Sequence, residues 1–149
     1  MRVMYDELYE SLFELVSFFI HPKQDRRLLS KTGVSLDTAL FPLLMRIAQH
    51  ASLRIVELAQ AVDKDHSTVS RQIDKLIALG LVAPTEHCSD KRVREIRLTL
   101  AGRAITKRIA ATRRKMMREA LRDWDEQQVA ELQASLGHLA ETVRSYTEH

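Results

Sequence analysis

The chain has 149 residues, of which 45% are hydrophobic and 29% charged, with four Gly, three Pro and one Cys. This length favours one domain, or a compact pair sharing a core, and the single cysteine, Cys88, excludes an intramolecular disulfide framework. Few Gly and Pro residues beside many helix formers argue against an all-β fold. Aliphatic and aromatic runs such as Phe18-Phe19-Ile20 are far too short to span a bilayer, and the N-terminus does not resemble a secretion signal, so we expect a cytoplasmic protein.

The net charge of +3 is small, but the charges are unevenly distributed. Residues 1–40 are close to neutral, residues 119–149 are acidic, and basic residues dominate between Lys64 and Arg118. A basic centre between neutral and acidic ends is typical of a module that binds a polyanion and has separate segments for assembly. A solvated helix face also explains most charge runs, so charge alone leaves both interpretations open.

The first half of the chain shows the apolar spacing of helices. Pro22 ends the first of them, and Ser35 and Ser52 are the expected N-caps of two later ones. The predicted helices of this half cover about residues 4–20, 25–30 (a short connector), 36–50 and 53–61.

A helix-turn-helix is predicted next. The turn at 63–65 supplies Asp65 as the N-cap of a helix that runs to Leu79, and Gly80 fits the left-handed position that closes a helix. Two helices of this size joined by a three-residue turn are typical of the motif.

The pattern of apolar residues changes after Gly80. The short, partly β-branched runs at 81–83 and 93–99 predict a hairpin with a charged tip. Thr99 is the expected cap of the first of two long helices, and Asp123 or Asp125 that of the second. These helices are predicted over about residues 100–122 and 126–147.

The second helix of the helix-turn-helix has two different faces. At 100° per residue, Val69, Ile73 and Leu76 fall opposite a polar face, and Asp74 lies on the flank of that polar face. An ordinary surface helix also segregates in this way, but hydroxyl, amide and cationic groups without a central carboxylate suit a groove lined by phosphates. The candidate DNA contacts on this helix are His66, Ser67, Thr68, Ser70, Arg71, Gln72 and Lys75.

The hairpin tip supplies a second candidate contact, because its cations could reach a minor groove or the DNA backbone. Asp90 is two residues from Arg92 and could hold its guanidinium by a charge-assisted hydrogen bond, whereas the alternative is a mobile charged loop in which this ion pair is fleeting. Cys88 lies near basic residues that would favour its oxidation, although a tolerated surface cysteine explains it more simply, and the nearby ligands are too few for a closed zinc site. The candidate wing contacts are Asp90, Lys91, Arg92 and Arg94.

Apolar seams on the terminal helices predict a homodimer. In a homodimer, two copies of the second helix of the helix-turn-helix, the recognition helix, are related by a two-fold axis and read half-sites about one turn of DNA apart. The alternative is that each seam packs within its own subunit. The seam residues are Leu8, Leu12, Leu15, Phe19, Leu132, Leu136, Leu139 and Val143.

A cavity lined by Met and aromatic residues is a further hypothesis, although such residues at helical spacing are usually plain core. The residues proposed to line the cavity are Phe13, Phe41, Met45, Met116, Met117 and Trp124.

Five segments, taken in their order along the chain, resemble the multiple antibiotic resistance regulator (MarR) family of winged helix-turn-helix transcription factors over roughly residues 52–105. The resemblance implies a dimer that binds a short pseudo-palindromic operator, with the helix at 66–79 in the major groove and Arg92 of the wing in the neighbouring minor groove. It also implies a small aromatic effector for the cavity. The segments that carry it are Ile55-Val56-Glu57-Leu58-Ala59, Asp65-His66-Ser67-Thr68-Val69-Ser70-Arg71, Leu76-Ile77-Ala78-Leu79-Gly80-Leu81-Val82, Asp90-Lys91-Arg92 and Leu98-Thr99-Leu100-Ala101-Gly102-Arg103.

We therefore expect a mainly α chain with a small β-hairpin wing: a helix for dimerisation at 1–34, a winged helix-turn-helix DNA-binding lobe at 35–105, and C-terminal helices for dimerisation at 106–149. The predicted function is a dimeric, sequence-specific regulator of transcription, a repressor released by a small molecule or an oxidant. The alternative is a winged-helix module for protein–protein interaction without operator specificity. Single-stranded RNA is disfavoured because no aromatic residue lies on the proposed contact face. Since no catalytic constellation or Gly-rich phosphate loop stands out, we expect neither an enzyme nor a cofactor.

Overall fold

The computed structural model describes residues 2–86 and 94–148. Helices form most of this part of the chain, and a small sheet interrupts them. In chain order the elements are α1 (Arg2–Ile20), α2 (Pro22–Thr32), α3 (Phe41–Ile47), β1 (Leu53–Arg54), α4 (Ile55–Ala61), α5 (His66–Ala78), β2 (Val82–Pro84), β3 (Glu95–Leu98), α6 (Leu100–Ala120) and α7 (Glu126–Thr147).

The chain packs as two compact units, Met1–Thr112 and Arg113–His149. The first contains the sheet and helices α1 to α5, and the second contains the end of α6 together with α7. The expected division into three functional segments, at 34/35 and 105/106, stays a prediction.

The sheet has three antiparallel strands in the order β1-β3-β2, with β3 in the centre. Leu53 pairs with Ile96 on one side of β3, and Val82 pairs with Leu98 on the other. The predicted hairpin is confirmed as β2 and β3, whereas β1 lies where the sequence predicted the start of a helix. The reason is non-local: Ser52 donates a hydrogen bond to the Glu95 carboxylate at 2.5 Å, which ties this segment to β3.

The main core lies between the sheet and helices α3, α4 and α5. A smaller cluster joins Leu29 of α2, Phe41 of α3 and Ile109 of α6. The buried side chains of the main core are Leu40, Leu43, Leu44, Ile47, Leu53, Ile55, Leu58, Ala59, Val69, Ile73, Leu76, Leu81, Val82, Ile96 and Leu98.

Two predicted helix starts are wrong. The helix expected over 36–50 with Ser35 as its cap is only α3, because Asp37 accepts a hydrogen bond from the Ala39 N–H at 3.0 Å and forms a turn first. Pro42 then occupies the first turn of α3, where a missing N–H is tolerated. Ser52 does not cap α4, which begins after Arg54 without a side-chain cap.

The other predicted caps are confirmed. Asp65 accepts from the Thr68 N–H, and Asp125 forms a reciprocal capping box with Gln128. Thr99 Oγ1 accepts from the Gly102 N–H at 3.0 Å, and Gly80 has the left-handed φ of 73°. These predictions needed only local spacing, which explains their success.

Within residues 2–86 and 94–148, every helix is too short or too polar to cross a membrane.

The two glycines of the long helices offer a matched pair of substitutions. At Gly102 an added Cβ would overlap the carbonyl oxygen of Leu81, which already accepts the Thr99 N–H at 3.0 Å, whereas at Gly137 nothing lies within 4 Å. We expect Gly102→Ala to lower the free energy of unfolding by roughly 1–3 kcal/mol through overpacking. Gly137→Ala should raise it by up to about 1 kcal/mol through helix propensity. Urea unfolding measures both, and equal effects would contradict the close approach of α6 to Leu81.

Candidate nucleic-acid interface

The predicted face of α5 is confirmed. Val69, Ile73 and Leu76 are completely buried in the main core. On the opposite side Ser67, Arg71 and Lys75 are exposed, at successive spacings of four residues. Because i and i+4 positions lie above one another on a helix, these three side chains form one strip that we call the outer strip.

The remaining candidates on α5 lie beside the outer strip. His66 is exposed at the first helical position, and Thr68 and Gln72 are half-buried along one flank. Ser70 is half-buried along the other flank, where Asp74 lies one turn further on. Among the described residues no donor reaches the buried Oε1 of Gln72. The helix thus brings all seven predicted α5 residues to one exposed face and its two edges.

Asp65 organises the beginning of α5. Its carboxylate accepts from the Ser67 hydroxyl at 2.7 Å, from the Thr68 N–H at 2.7 Å and from the Thr68 hydroxyl at 2.8 Å. The hydrogen bond from Ser67, followed by the two from Thr68, holds the pKa of Asp65 well below its ordinary value. Asp65 is therefore ionised, and it accepts a hydrogen bond from the hydroxyl of each residue.

This arrangement fixes the polarity of two candidate contacts. A hydroxyl has one proton to donate and two lone pairs that accept. Since Ser67 and Thr68 donate to Asp65, the lone pairs of their oxygens remain as acceptors, and Thr68 Oγ1 already accepts from Arg71 Nη2 at 3.5 Å. Acceptors suit the amino groups of bases better than they suit phosphate oxygens, which are themselves acceptors.

The turn before α5 has the predicted position. Asp63 adopts a positive φ of 51°, a left-handed conformation that Asp tolerates better than most residues. It sits between α4 and the Asp65 cap, so the two helices are separated by a short turn.

Arg94 is directed toward α5. Its Nη1 donates to Ser70 Oγ at 2.7 Å and its Nη2 to Asp74 Oδ1 at 2.9 Å. These contacts could not be predicted from the sequence, because they join residues 20 and 24 positions apart and depend on the sheet register. The other predicted wing residues, Asp90, Lys91 and Arg92, lie outside the described residues, as does Cys88.

The basic middle segment also has a structural use. Arg108 on α6 donates to the carbonyl oxygen of Thr32 at 2.9 Å, so it fastens the end of α2 to α6. Not every cation of the run is therefore free for a polyanion.

The predicted seams are largely exposed in the single chain. On α1, Leu8, Leu15 and Phe19 are about half exposed, and Leu12 is half-buried. The described part of α7 has no buried residue. Its seam residues Leu132, Leu136 and Val143 are exposed, while Leu139 is half-buried.

The structure distributes the predicted effector residues over both units. In the first unit, Phe41 belongs to the smaller core cluster and Met45 packs against it, while Phe13 is exposed on α1. In the second, Met116 is half-buried, and Trp124 lines a groove between α6 and α7. The other residues lining this groove are Arg114, Met117, Arg118, Leu121, Arg122, Glu126, Val129, Ala130 and Gln133.

Comparison with known proteins shows which family has this architecture. The sequence profile of the MarR family matches residues 37–93. The chain is 31% identical over 117 residues to the HTH-type transcriptional repressor MdtR of Bacillus subtilis (strain 168). The aligned region covers 76% of this chain and 74% of that protein. The chain belongs to the MarR family. Members of this family are transcription regulators rather than enzymes.

Solved structures agree with the fold of a MarR protein. A MarR family protein from Bacillus stearothermophilus superposes with a TM-score of 0.81 at 21% identity, over 97% of this chain and 98% of that one. Staphylococcus aureus MarR in complex with salicylate and kanamycin has a TM-score of 0.74 at 16% identity, over 96% and 94% of the two chains. At these identities the likeness shows the winged helix-turn-helix fold.

Proposed function

We propose that this MarR protein is a dimeric repressor that binds a pseudo-palindromic operator in duplex DNA, with α5 of each subunit in the major groove. The observation that carries the proposal is the outer strip, in which Arg71 lies between Ser67 and Lys75 and the apolar face of the same helix is wholly buried. Membership of a family of transcription regulators supports the same conclusion.

Each residue of the interface has a role that follows from its chemistry. Arg71 pairs with guanine O6 and N7, and Gln72 pairs with adenine after its side chain turns outward, because its Oε1 is buried in the unbound chain. Lys75 and His66 contact phosphates, and the acceptor oxygens of Ser67 and Thr68 face base amino groups. Arg92 of the wing contacts the neighbouring minor groove and Lys91 its backbone, and Asp90 would orient the Arg92 guanidinium through a charge-assisted hydrogen bond.

A dimer is supported by the exposed apolar surface of the terminal helices. α1 carries a row of half-exposed apolar side chains beside acidic residues, whereas the end of α6 is strongly basic. Association of two copies through α1 and α7 would bury both apolar surfaces and bring opposite charges together.

Release by a small aromatic molecule completes the proposal. The groove between α6 and α7 is lined by Trp124 together with Arg114 and Arg118, so it combines apolar and cationic groups, beside the carboxylate of Glu126. This combination suits an aromatic carboxylate, and the Staphylococcus aureus MarR structure contains salicylate. Binding would lower DNA affinity by changing the spacing of the two recognition helices.

Substitution of Arg71 tests the base-reading role. Against a duplex selected by the protein from a random-sequence pool, Arg71→Ala should lose roughly 1–3 kcal/mol of preference over unselected DNA. Arg92→Ala should weaken both duplexes alike and lower the slope of log affinity against log salt by about 1. Fluorescence anisotropy at several salt concentrations measures both effects.

Arg46→Ala is the matched control, because it removes an exposed arginine from α3 and changes the net charge equally. The interaction-module alternative predicts no steep salt dependence and no preference for any duplex. Unchanged affinity of the Arg71 and Arg92 variants would also contradict the proposal.

The dimer is tested at the exposed seam of α7. Leu136→Glu places a charge where the second copy is proposed to pack, so the variant should shift from dimer toward monomer in sedimentation velocity. Leu100→Glu, at a residue 81% exposed and outside both seams, is the control and should remain dimeric. A monomeric parent chain at micromolar concentration would refute this part.

Release is tested by repeating the duplex titration with salicylate. We expect affinity to fall about fivefold or more, in the usual range of coupling between two sites. Benzyl alcohol, which is aromatic but uncharged, is the control and should have little effect. If hydrogen peroxide releases the DNA instead, and Cys88→Ser prevents it, the signal is an oxidant.

A further inference from the structure

Three side chains join the base of the hairpin to the recognition helix. Arg94 immediately precedes β3, and its guanidinium donates to Ser70 at 2.7 Å and to Asp74 at 2.9 Å. Ser70 and Asp74 lie one helical turn apart on the same flank of α5, so the planar guanidinium bridges two successive turns. We call Arg94, Ser70 and Asp74 the clamp.

The backbone of Arg94 is also fixed. Its carbonyl oxygen accepts from the N–H of Ile55, the first residue of α4, at 3.0 Å. The next residue, Glu95, pairs with Arg54 of β1 and accepts the Ser52 hydroxyl. The base of the hairpin is thus held by β1 and α4 through the backbone and by α5 through the clamp.

We propose that Asp74 and Ser70 are positioning residues that hold the hairpin against α5 through Arg94, so that wing and recognition helix meet DNA as one rigid unit. The inference rests on the proposed function. It gives Ser70 and Arg94, both candidate DNA contacts, a role within the protein, because two of the three guanidinium nitrogens of Arg94 are already bonded to α5.

Substitution of Asp74 tests the proposal, because the two interpretations predict opposite changes in DNA affinity. Asp74 is the one carboxylate of α5 in the sequence, and its side chain is 61% exposed beside the outer strip. If charge alone mattered, removing it would strengthen the binding of phosphates. If the clamp matters, removing it weakens binding, because the hairpin is no longer held in its place.

The clamp contributes little to folding itself. The side chains of Arg94 and Asp74 are 40% and 61% exposed, and ion pairs this accessible to water stabilise proteins weakly. We therefore expect Asp74→Asn to shift Tm by no more than about 4 °C. An effect on DNA binding is then separable from unfolding.

The experiment uses the full chain and the selected duplex. Asp74→Asn should weaken DNA binding roughly 10-fold. It should also lower the slope of log affinity against log salt by about 1, because one phosphate contact is lost. Arg94→Ala should weaken binding similarly. The double variant should bind DNA no less tightly than the single variant with the lower affinity, since both changes remove the same ion pair.

Asp63→Asn is the matched control. It removes one carboxylate from the turn just before α5, and Asn tolerates the left-handed φ found there. Its affinity should equal or exceed that of the parent chain. An Asp74→Asn variant that binds as tightly as the parent, or more tightly, would overturn the proposal.

A measurement without DNA separates this inference from the proposed function. Hydrogen exchange of the Ile55 amide, which is bonded to the Arg94 carbonyl, should be faster in Asp74→Asn and Arg94→Ala but not in Asp63→Asn. Unchanged exchange in all three variants would refute the clamp even if DNA binds. If the parent does not prefer its selected duplex, the proposed function fails, and Ile55 exchange still decides whether the clamp holds the hairpin.

Discussion

Burial of one apolar face of α5 is the constraint on which the site depends. Val69, Ile73 and Leu76 have no exposed surface, and they pack in the core shared with α3, α4 and the sheet. Because each residue advances about 100° around a helix, seating these three side chains fixes the rotation of α5. Arg71 and Lys75 then point outward as a consequence of packing. A rotation by one residue would expose a buried aliphatic side chain, which costs roughly 1.5–3 kcal/mol.

The chemistry of the exposed face depends on its acidic neighbours as much as on its cations. Asp65 and Asp74 lie at the beginning and on the flank of α5, where free carboxylates would repel phosphates. Both are instead engaged, Asp65 by the Ser67 and Thr68 hydroxyls and Asp74 by Arg94. The acids therefore act on the surrounding groups, since Asp65 orients two hydroxyls as acceptors and Asp74 holds the hairpin base.

Local features of the fold could be predicted from the sequence, and non-local ones could not. The caps at Asp65 and Asp125 and the amphipathic face of α5 depend on spacings of three or four residues, which are visible in a linear sequence. Strand β1 and the contacts of Arg94 depend on which strand pairs with β3 and in what register. The shortened α3 is intermediate: Asp37 forms a local turn that competes with a helix, and both conformations fit the pattern.

The terminal helices link assembly to the geometry of the site. α7 spans 22 residues, yet its described residues include none that is buried. Helices gain most of their stability from packing an apolar face rather than from propensity, so a helix this exposed has stabilising contacts still to make. In the proposed dimer, burial of Leu132 and Leu136 against a second copy would supply such contacts. The same association would set the separation of the two α5 helices, which must match one turn of duplex DNA for both to read half-sites. Stability of the C-terminal helices and recognition of paired half-sites would then depend on one interface.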